Sequence, residues 1–127
     1  MTPKGTQPGR RILVAEDEYV IADELVRSLR ERGIEVLGPL PTVRHALEAL
    51  EDDVELAGAV LDVNLHGEAI WPVVAALLAR GVPVALATGY AAGSVPREYA
   101  ALRRFPKPIP LAEVACLVAE WQRSGGP

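Results

Sequence analysis

The run Gly58-Ala59-Val60-Leu61 stops abruptly at Asp62, and a loop then closes on Gly67 ahead of a strongly periodic helical pattern. An apolar run without polar alternation suits a strand covered on both faces, which points to a parallel sheet sandwiched between helices. In open parallel sheets, ligands collect just beyond the carboxyl ends of the strands. Asp62 therefore stands where chemistry is expected.

Other stretches repeat the arrangement. Ile12-Leu13-Val14-Ala15 is a short buried strand that ends in Glu16-Asp17-Glu18, and Val82 to Ala87 is another, ending at Thr88-Gly89-Tyr90. Ile34 to Leu37 is a more mixed strand, and Arg103-Arg104-Phe105 is a brief charged one that leads into Lys107-Pro108. Between them lie helical periods. Ile21, Leu25 and Leu29 share a stripe that Gly33 closes, and Thr42 caps a helix facing inward through Val43, Ala46, Leu47 and Leu50. Ile70, Val73, Val74, Leu77 and Leu78 give the cleanest period, with Pro72 in the first turn and Gly81 as the stop. Residues 91–102 contain Gly93 and Pro96 and predict a short or irregular helix. Pro110 opens the last helix, through Leu111, Val114, Val118 and Trp121.

Five strands alternating with five helices imply right-handed crossovers and a flavodoxin-like (βα)5 fold, a doubly wound five-stranded parallel sheet. The most apolar strands, the first, third and fourth, belong at the centre. The second and fifth belong at the edges, which gives the order 2-1-3-4-5. Residues 1–10 are read as an N-terminal tail, 11–123 as the domain and 124–127 as a C-terminal tail.

Composition narrows the function. A formal charge of −4, with only the small basic pairs Arg10-Arg11 and Arg103-Arg104, argues against nucleic acid as a main ligand. Cys116 is the lone cysteine, so no disulfide framework exists and the cytoplasm is the natural compartment. The first residues lack the apolar core of a signal peptide, and no apolar run approaches the length of a membrane span.

The strand ends, taken together, carry Glu16 and Asp17, then Asp62, Thr88 and Lys107. The first and third strands are neighbours in this order, so three carboxylates crowd one cleft. At about 4 Å and an effective dielectric near 20, each like-charged pair costs on the order of 4 kcal/mol. Such a site keeps a proton or takes a cation, and an all-oxygen donor set with an open rim suits Mg²⁺. A carboxylate nucleophile, a divalent ion, an ammonium and a hydroxyl together describe phosphoryl transfer.

Ile12 to Glu18, Val60-Leu61-Asp62-Val63-Asn64-Leu65, Ala87-Thr88-Gly89-Tyr90 and Phe105-Pro106-Lys107-Pro108 together resemble a response-regulator receiver domain, over residues 11–123. The resemblance implies that Asp62 accepts a phosphoryl group from a histidine kinase's phosphohistidine. It implies Mg²⁺ on Asp17, Asp62 and the backbone carbonyl of Asn64, with Glu16 acting through water, and Thr88 and Lys107 on phosphoryl oxygens. The Ala-Thr-Gly-Tyr run is also similar to a subgroup, common among single-domain regulators, with a Phe-Ala-Thr-Gly-Gly/Tyr motif, although Leu86 stands where that motif has Phe. Receivers usually carry an aromatic three residues before the lysine, and here that position is Arg104. Tyr90 and residues 91–102 are accordingly expected to form the switch. The implied partners are a histidine kinase and a downstream regulatory or phosphotransfer protein, with no nucleic acid, no membrane, and a monomer or weak dimer as the unit.

Each residue also has a blander role. Asp62 alone would be a helix-capping carboxylate, and Glu18 is a first-turn acid favouring the helix dipole. His45 and His66 are surface residues, Cys116 is small helix packing, and Trp71 and Trp121 are core or boundary aromatics. Arg103-Arg104 is edge protection. The leading expectation is a stand-alone phosphoacceptor that turns over no free substrate, since no output module follows Gly125-Gly126-Pro127. Its rivals are a small Mg²⁺-dependent phosphatase of haloacid-dehalogenase type, which Asp62-Val63-Asn64 faintly resembles, and a phosphorylation-independent docking module on the same fold. That phosphatase family places its nucleophile after the first strand and needs a second Asp where Asn64 stands.

Overall fold

The computed structural model describes residues 10–89 and 95–124. In chain order the elements are β1 (Arg10–Ala15), α1 (Tyr19–Glu31), β2 (Val36–Leu40), α2 (Val43–Ala49), β3 (Glu55–Asp62), β4 (Asn64–Leu65), β5 (Glu68–Ala69), α3 (Trp71–Ala79), β6 (Val84–Ala87), a 3₁₀ turn (Arg97–Tyr99), β7 (Arg103–Phe105) and α4 (Leu111–Ser124). The main sheet is parallel, in the order β2-β1-β3-β6-β7. Counting its five strands alone gives the expected 2-1-3-4-5, the doubly wound α/β topology.

Side-chain alternation along each strand divides the core in two. Leu13, Ala15, Ala59, Leu61, Val84 and Leu86 face one way, onto Val43 and Ala46 of α2 and Val73, Val74 and Leu77 of α3. Ile12, Val14, Ala57, Val60 and Ala85 face the other, onto Leu25, Val26 and Leu29 of α1 and Val114 and Val118 of α4. Both faces are thus covered, which is why the central strands lack polar alternation. Each fully buried Leu, Ile or Val contributes about 1.5–3 kcal/mol relative to exposure, so this double layer holds the strand ends rigid.

The helix boundaries follow the sequence punctuation. Gly33 takes φ +80° after α1, and the Ile34 amide donates to the Leu29 carbonyl at 3.1 Å, closing the helix end. Thr42 caps α2 by accepting the His45 amide at 3.0 Å.

Several expectations need correction. The second strand runs on through Gly38-Pro39 to Leu40 rather than stopping at Leu37. Proline is tolerated because β2 lies at the sheet edge, and the register against β1 slips between Leu13 and Ala15 to absorb the extra residue. The first strand begins at Arg10, one residue inside the expected 1–10 tail. Leu78 is 39 % exposed, on the outer side of α3, and Cys116 is exposed on α4 rather than packed. Among the described residues of 91–102 no α-helix forms. Pro96 is extended, and only i→i−3 bonds follow it, from the Tyr99 amide to Pro96, from Ala100 to Arg97 and from Leu102 to Tyr99.

The hairpin β4–β5 was not anticipated as such. His66 (φ +50°) and Gly67 (φ +85°) are its two turn residues, both left-handed, the geometry whose twist matches paired strands. It folds the chain back so that the Ile70 amide donates to the Val63 carbonyl at 3.0 Å. Helix α3 consequently begins beside the end of β3.

Candidate functional site

Asp62 is the last residue of β3 and is 6 % exposed. Its Oδ1 accepts the Asn64 amide at 3.1 Å, and its Oδ2 accepts from Lys107 Nζ at 2.6 Å. Lys107 arrives from the turn after β7, two strands away. On the other side, Glu16 leaves β1 and is 3 % exposed. Its Oε2 accepts the Glu18 amide at 3.1 Å. Its Oε1 is buried without a hydrogen-bond partner, 3.4 Å from Lys107 Nζ, an ion-pair distance that does not amount to a hydrogen bond. Asp17 Oδ2 accepts the His66 amide at 2.8 Å, so the β4–β5 turn ties the two acidic loops together.

Each of Glu16, Asp17 and Asp62 offers an oxygen within 4.8 Å of the others. Burial and the neighbouring Asp62 carboxyl push the Glu16 pKa up to about 7, against the pull of the Glu18 amide and Lys107. Burial also works against the Asp17 charge, but the His66 amide leads the groups that outweigh it and hold its pKa below the ordinary value. Burial likewise opposes the Lys107 ammonium, yet its hydrogen bond to Asp62 and the charges of Asp62 and Glu16 raise its pKa above normal.

Among the described residues one ammonium, that of Lys107, faces these carboxylates and also lies 4.0 Å from Glu18 Oε1, so the negative charge is only partly balanced. The buried, unpartnered Glu16 oxygen marks where further positive charge is wanted. An all-oxygen donor set fits a hard cation such as Mg²⁺, which takes one or two carboxylates and keeps its waters. The surrounding open cleft, about 700 Å³, is lined by Asp17, Glu18, Asp62, Val63, Asn64, Ala69, Trp71, Gly89 and Lys107.

The residues singled out from sequence fall as follows. Glu16, Asp17, Asp62 and Lys107 meet in one cluster, and Asn64 lines the cleft, with its Oδ1 accepting the Gly67 amide at 2.9 Å. Thr88 is 8 % exposed at the end of β6, where its amide donates to the Phe105 carbonyl at 3.0 Å. Arg104 Nη2 donates to the Ala100 carbonyl at 3.1 Å, tying β7 to the preceding turn. Tyr90, named as the switch, lies outside the described residues, as do residues 91–94.

Three contributors went unrecognised. Glu18 precedes the first turn and lines the cleft rather than serving the α1 dipole from within the helix. His66 matters through its backbone N–H. The signal that would have found it is a two-residue turn ending in glycine, His66-Gly67, between short extended pairs. Trp71 is a wall of the cleft, not simply a boundary aromatic, and it stacks on Tyr99 with ring centroids 5.6 Å apart and planes at 18°.

No family model and no curated protein matches the chain. Solved structures do. SdrG from Pseudomonas melonis Fr1, in a BeF3-activated conformation, is 36 % identical over 87 % of this chain and 95 % of that one, with a TM-score of 0.71. SdrG from Sphingomonas melonis Fr1 is 35 % identical over 91 % and 98 %, with a TM-score of 0.77. The receiver domain of sensor histidine kinase PA1611 from Pseudomonas aeruginosa PAO1, with a magnesium ion in its active-site cleft, shares the fold at 21 % identity over 91 % and 98 %, with a TM-score of 0.75. The fold and the cleft are those of a receiver-type signalling domain. The chain belongs to the response-regulator receiver domains of two-component systems. Among the described residues, no helix is long and apolar enough to cross a membrane.

Proposed function

We propose that this receiver takes a phosphoryl group onto Asp62 from the phosphohistidine of a histidine kinase and signals by a change in protein–protein contacts. The observation that carries the reading is the meeting of Glu16, Asp17 and Asp62 with Lys107 at the carboxyl end of the sheet, with a buried Glu16 oxygen left unpartnered. Glu16, Asp17, Asp62 and the Asn64 carbonyl would hold Mg²⁺, whose charge offsets that of the phosphoryl oxygens as the carboxylate approaches.

The chain's own residues do the rest. An Asp62 oxygen forms the bond to phosphorus as the phosphorus–nitrogen bond breaks, leaving an acyl phosphate and a free imidazole. Lys107 moves its hydrogen bond from Asp62 Oδ2 to a phosphoryl oxygen, and Thr88 supplies a hydroxyl donor to another. Arg104 replaces the usual aromatic, so the modification is reported through Tyr90 and residues 91–102 instead. The receiver works in the cytoplasm, is of the Phe-Ala-Thr-Gly-Gly/Tyr motif type, and hands its signal to a regulatory or phosphotransfer protein.

Intact-mass measurement with acetyl phosphate tests the reading. A Mg²⁺-dependent phosphoryl adduct is expected, lost in Asp62→Asn; an Asp62→Asn protein that labels like the parent refutes it. Hydrogen exchange with and without a fluoride–beryllium mimic tests the switch, and unchanged protection across 88–102 would remove it.

A further inference from the structure

A phosphohistidine donor brings a flat aromatic ring into the cleft, and none of the residues above gives that ring a surface to lie on. Trp71 does. It is the first residue of α3, and the bond from the Ile70 amide to the Val63 carbonyl sets it beside the end of the strand that carries Asp62. It lines the same cleft as Asp62, Gly89 and Lys107, and it is the only aromatic among the described lining residues. Its neighbour Ile70 is fully buried, whereas Trp71 is half-buried, packed on the core beside α3 and lining the cleft. The Tyr99 ring stacks on one face of the indole, 5.6 Å away with the planes at 18°, which restrains its rotation and leaves the opposite face for a ligand.

We propose that Trp71 is the platform on which the donor's imidazole stacks, a specificity-determining residue that favours phosphoryl donors with an aromatic leaving group. The inference rests on Asp62 being the phosphoacceptor. In the step concerned, an Asp62 oxygen bonds to phosphorus and the phosphorus–nitrogen bond breaks. The ring keeps the bonding pair and departs as neutral imidazole, its second nitrogen having taken a proton from solvent. A stacked ring is held in line with Asp62 before and during that step, so the gain appears in the second-order rate constant.

Two small donors separate this role from general upkeep of the site. Phosphoimidazole and phosphoramidate both break a phosphorus–nitrogen bond, but only the first releases an aromatic ring. The quantity to read is the ratio of their second-order rate constants for labelling the full chain with Mg²⁺ present. Aromatic stacking predicts that Trp71→Ala lowers this ratio by about threefold to tenfold and that Trp71→Phe restores most of it. Trp71→Leu, which keeps bulk without a π face, should behave like Trp71→Ala and stands in for it if the alanine variant does not fold. A ratio in Trp71→Ala or Trp71→Leu equal to the parent's overturns the platform, even where both rates fall together. A parent labelled by neither donor overturns the phosphoacceptor reading and the platform with it.

Discussion

At Gly58 the α4 residue Trp121 lies directly against the sheet, and replacing the glycine with alanine measures that approach. A Cβ at this position would lie 2.1 Å from Trp121 Cε3 and 2.6 Å from Cδ2 and Cζ3. Ordinary carbon contacts sit near 3.5–4.0 Å, so the indole must retreat by roughly 1.5 Å. Trp121 is half-buried near the end of α4, packed on the face built from Ile12, Val60 and Val118. The ring can therefore swing outward while the strand stays in place. Overpacking of this kind costs about 1–3 kcal/mol, and the better strand behaviour of alanine returns about 0.5–1 kcal/mol. The expected net loss is about 1–2 kcal/mol, a fall in Tm of roughly 4–10 °C for a domain near this size. Urea unfolding followed by far-ultraviolet circular dichroism gives the loss, and near-ultraviolet dichroism reports the displaced indole. In a Trp121→Leu background the same substitution should cost far less, because the obstacle is gone. A Gly58→Ala protein as stable as the parent, with its aromatic signal intact, would refute the close approach of α4 to β3.

Lys107→Ala should bind Mg²⁺ as well as the parent or better, because it removes a positive charge beside the ion, yet it should label poorly from acetyl phosphate; isothermal titration and intact mass read the two, and unimpaired labelling would demote Lys107 to a structural cation. Glu16 keeps its proton up to about pH 7 in the fold but only to 4.5 when unfolded, so it adds stability to the metal-free protein that is full below pH 4.5 and lost as pH rises through 7, on the order of 3 kcal/mol. Asp17, with its pKa lowered, acts oppositely and at more acidic pH, its contribution being lost as pH falls through its folded value below 3.8. Because Mg²⁺ must displace the Glu16 proton, its affinity should climb between about pH 6 and 8 in the parent and flatten in Glu16→Gln, and a parent profile already flat would contradict the raised pKa. His66→Pro removes the amide that holds Asp17 and forbids the observed φ of +50°, so Mg²⁺ affinity should drop by about tenfold while His66→Gly stays near the parent; equal affinities in all three would mean that the turn does not position Asp17.

The alternation of strands and helices outside residues 91–102, the order of the sheet and the convergence of Glu16, Asp17, Asp62 and Lys107 are legible in the sequence. Burial on both faces leaves an unbroken apolar run, and such a run marks its own carboxyl end. What stayed hidden depends on groups far apart in the chain or without side-chain identity. The His66 contribution is a backbone N–H, donated to Asp17 across 49 residues, which no side-chain pattern records. The approach of Trp121 to Gly58 depends on how α4 lies on β3, and a glycine in a strand does not name its neighbour. Trp71 reads from sequence as a core or boundary aromatic, and only the β4–β5 hairpin, which starts α3 beside the end of β3, makes it a wall of the cleft. The continuation of β2 through Pro39 was obscured because proline usually ends a strand, a rule that relaxes at an edge.

The two outer strands have a bearing on how this protein behaves at high concentration. β2 is interrupted by an exposed Pro39, and β7 is only three residues long. On β7 the Arg103 guanidinium lies 4.9 Å from the Phe105 ring centroid, and Arg104 is fastened back to Ala100. Neither margin presents a long, flat row of free amides and carbonyls on which another chain's strand can grow. Precipitation on heating should therefore track the cooperative melting of the domain, and the folded protein should remain dispersed in stocks far more concentrated than its signalling role requires.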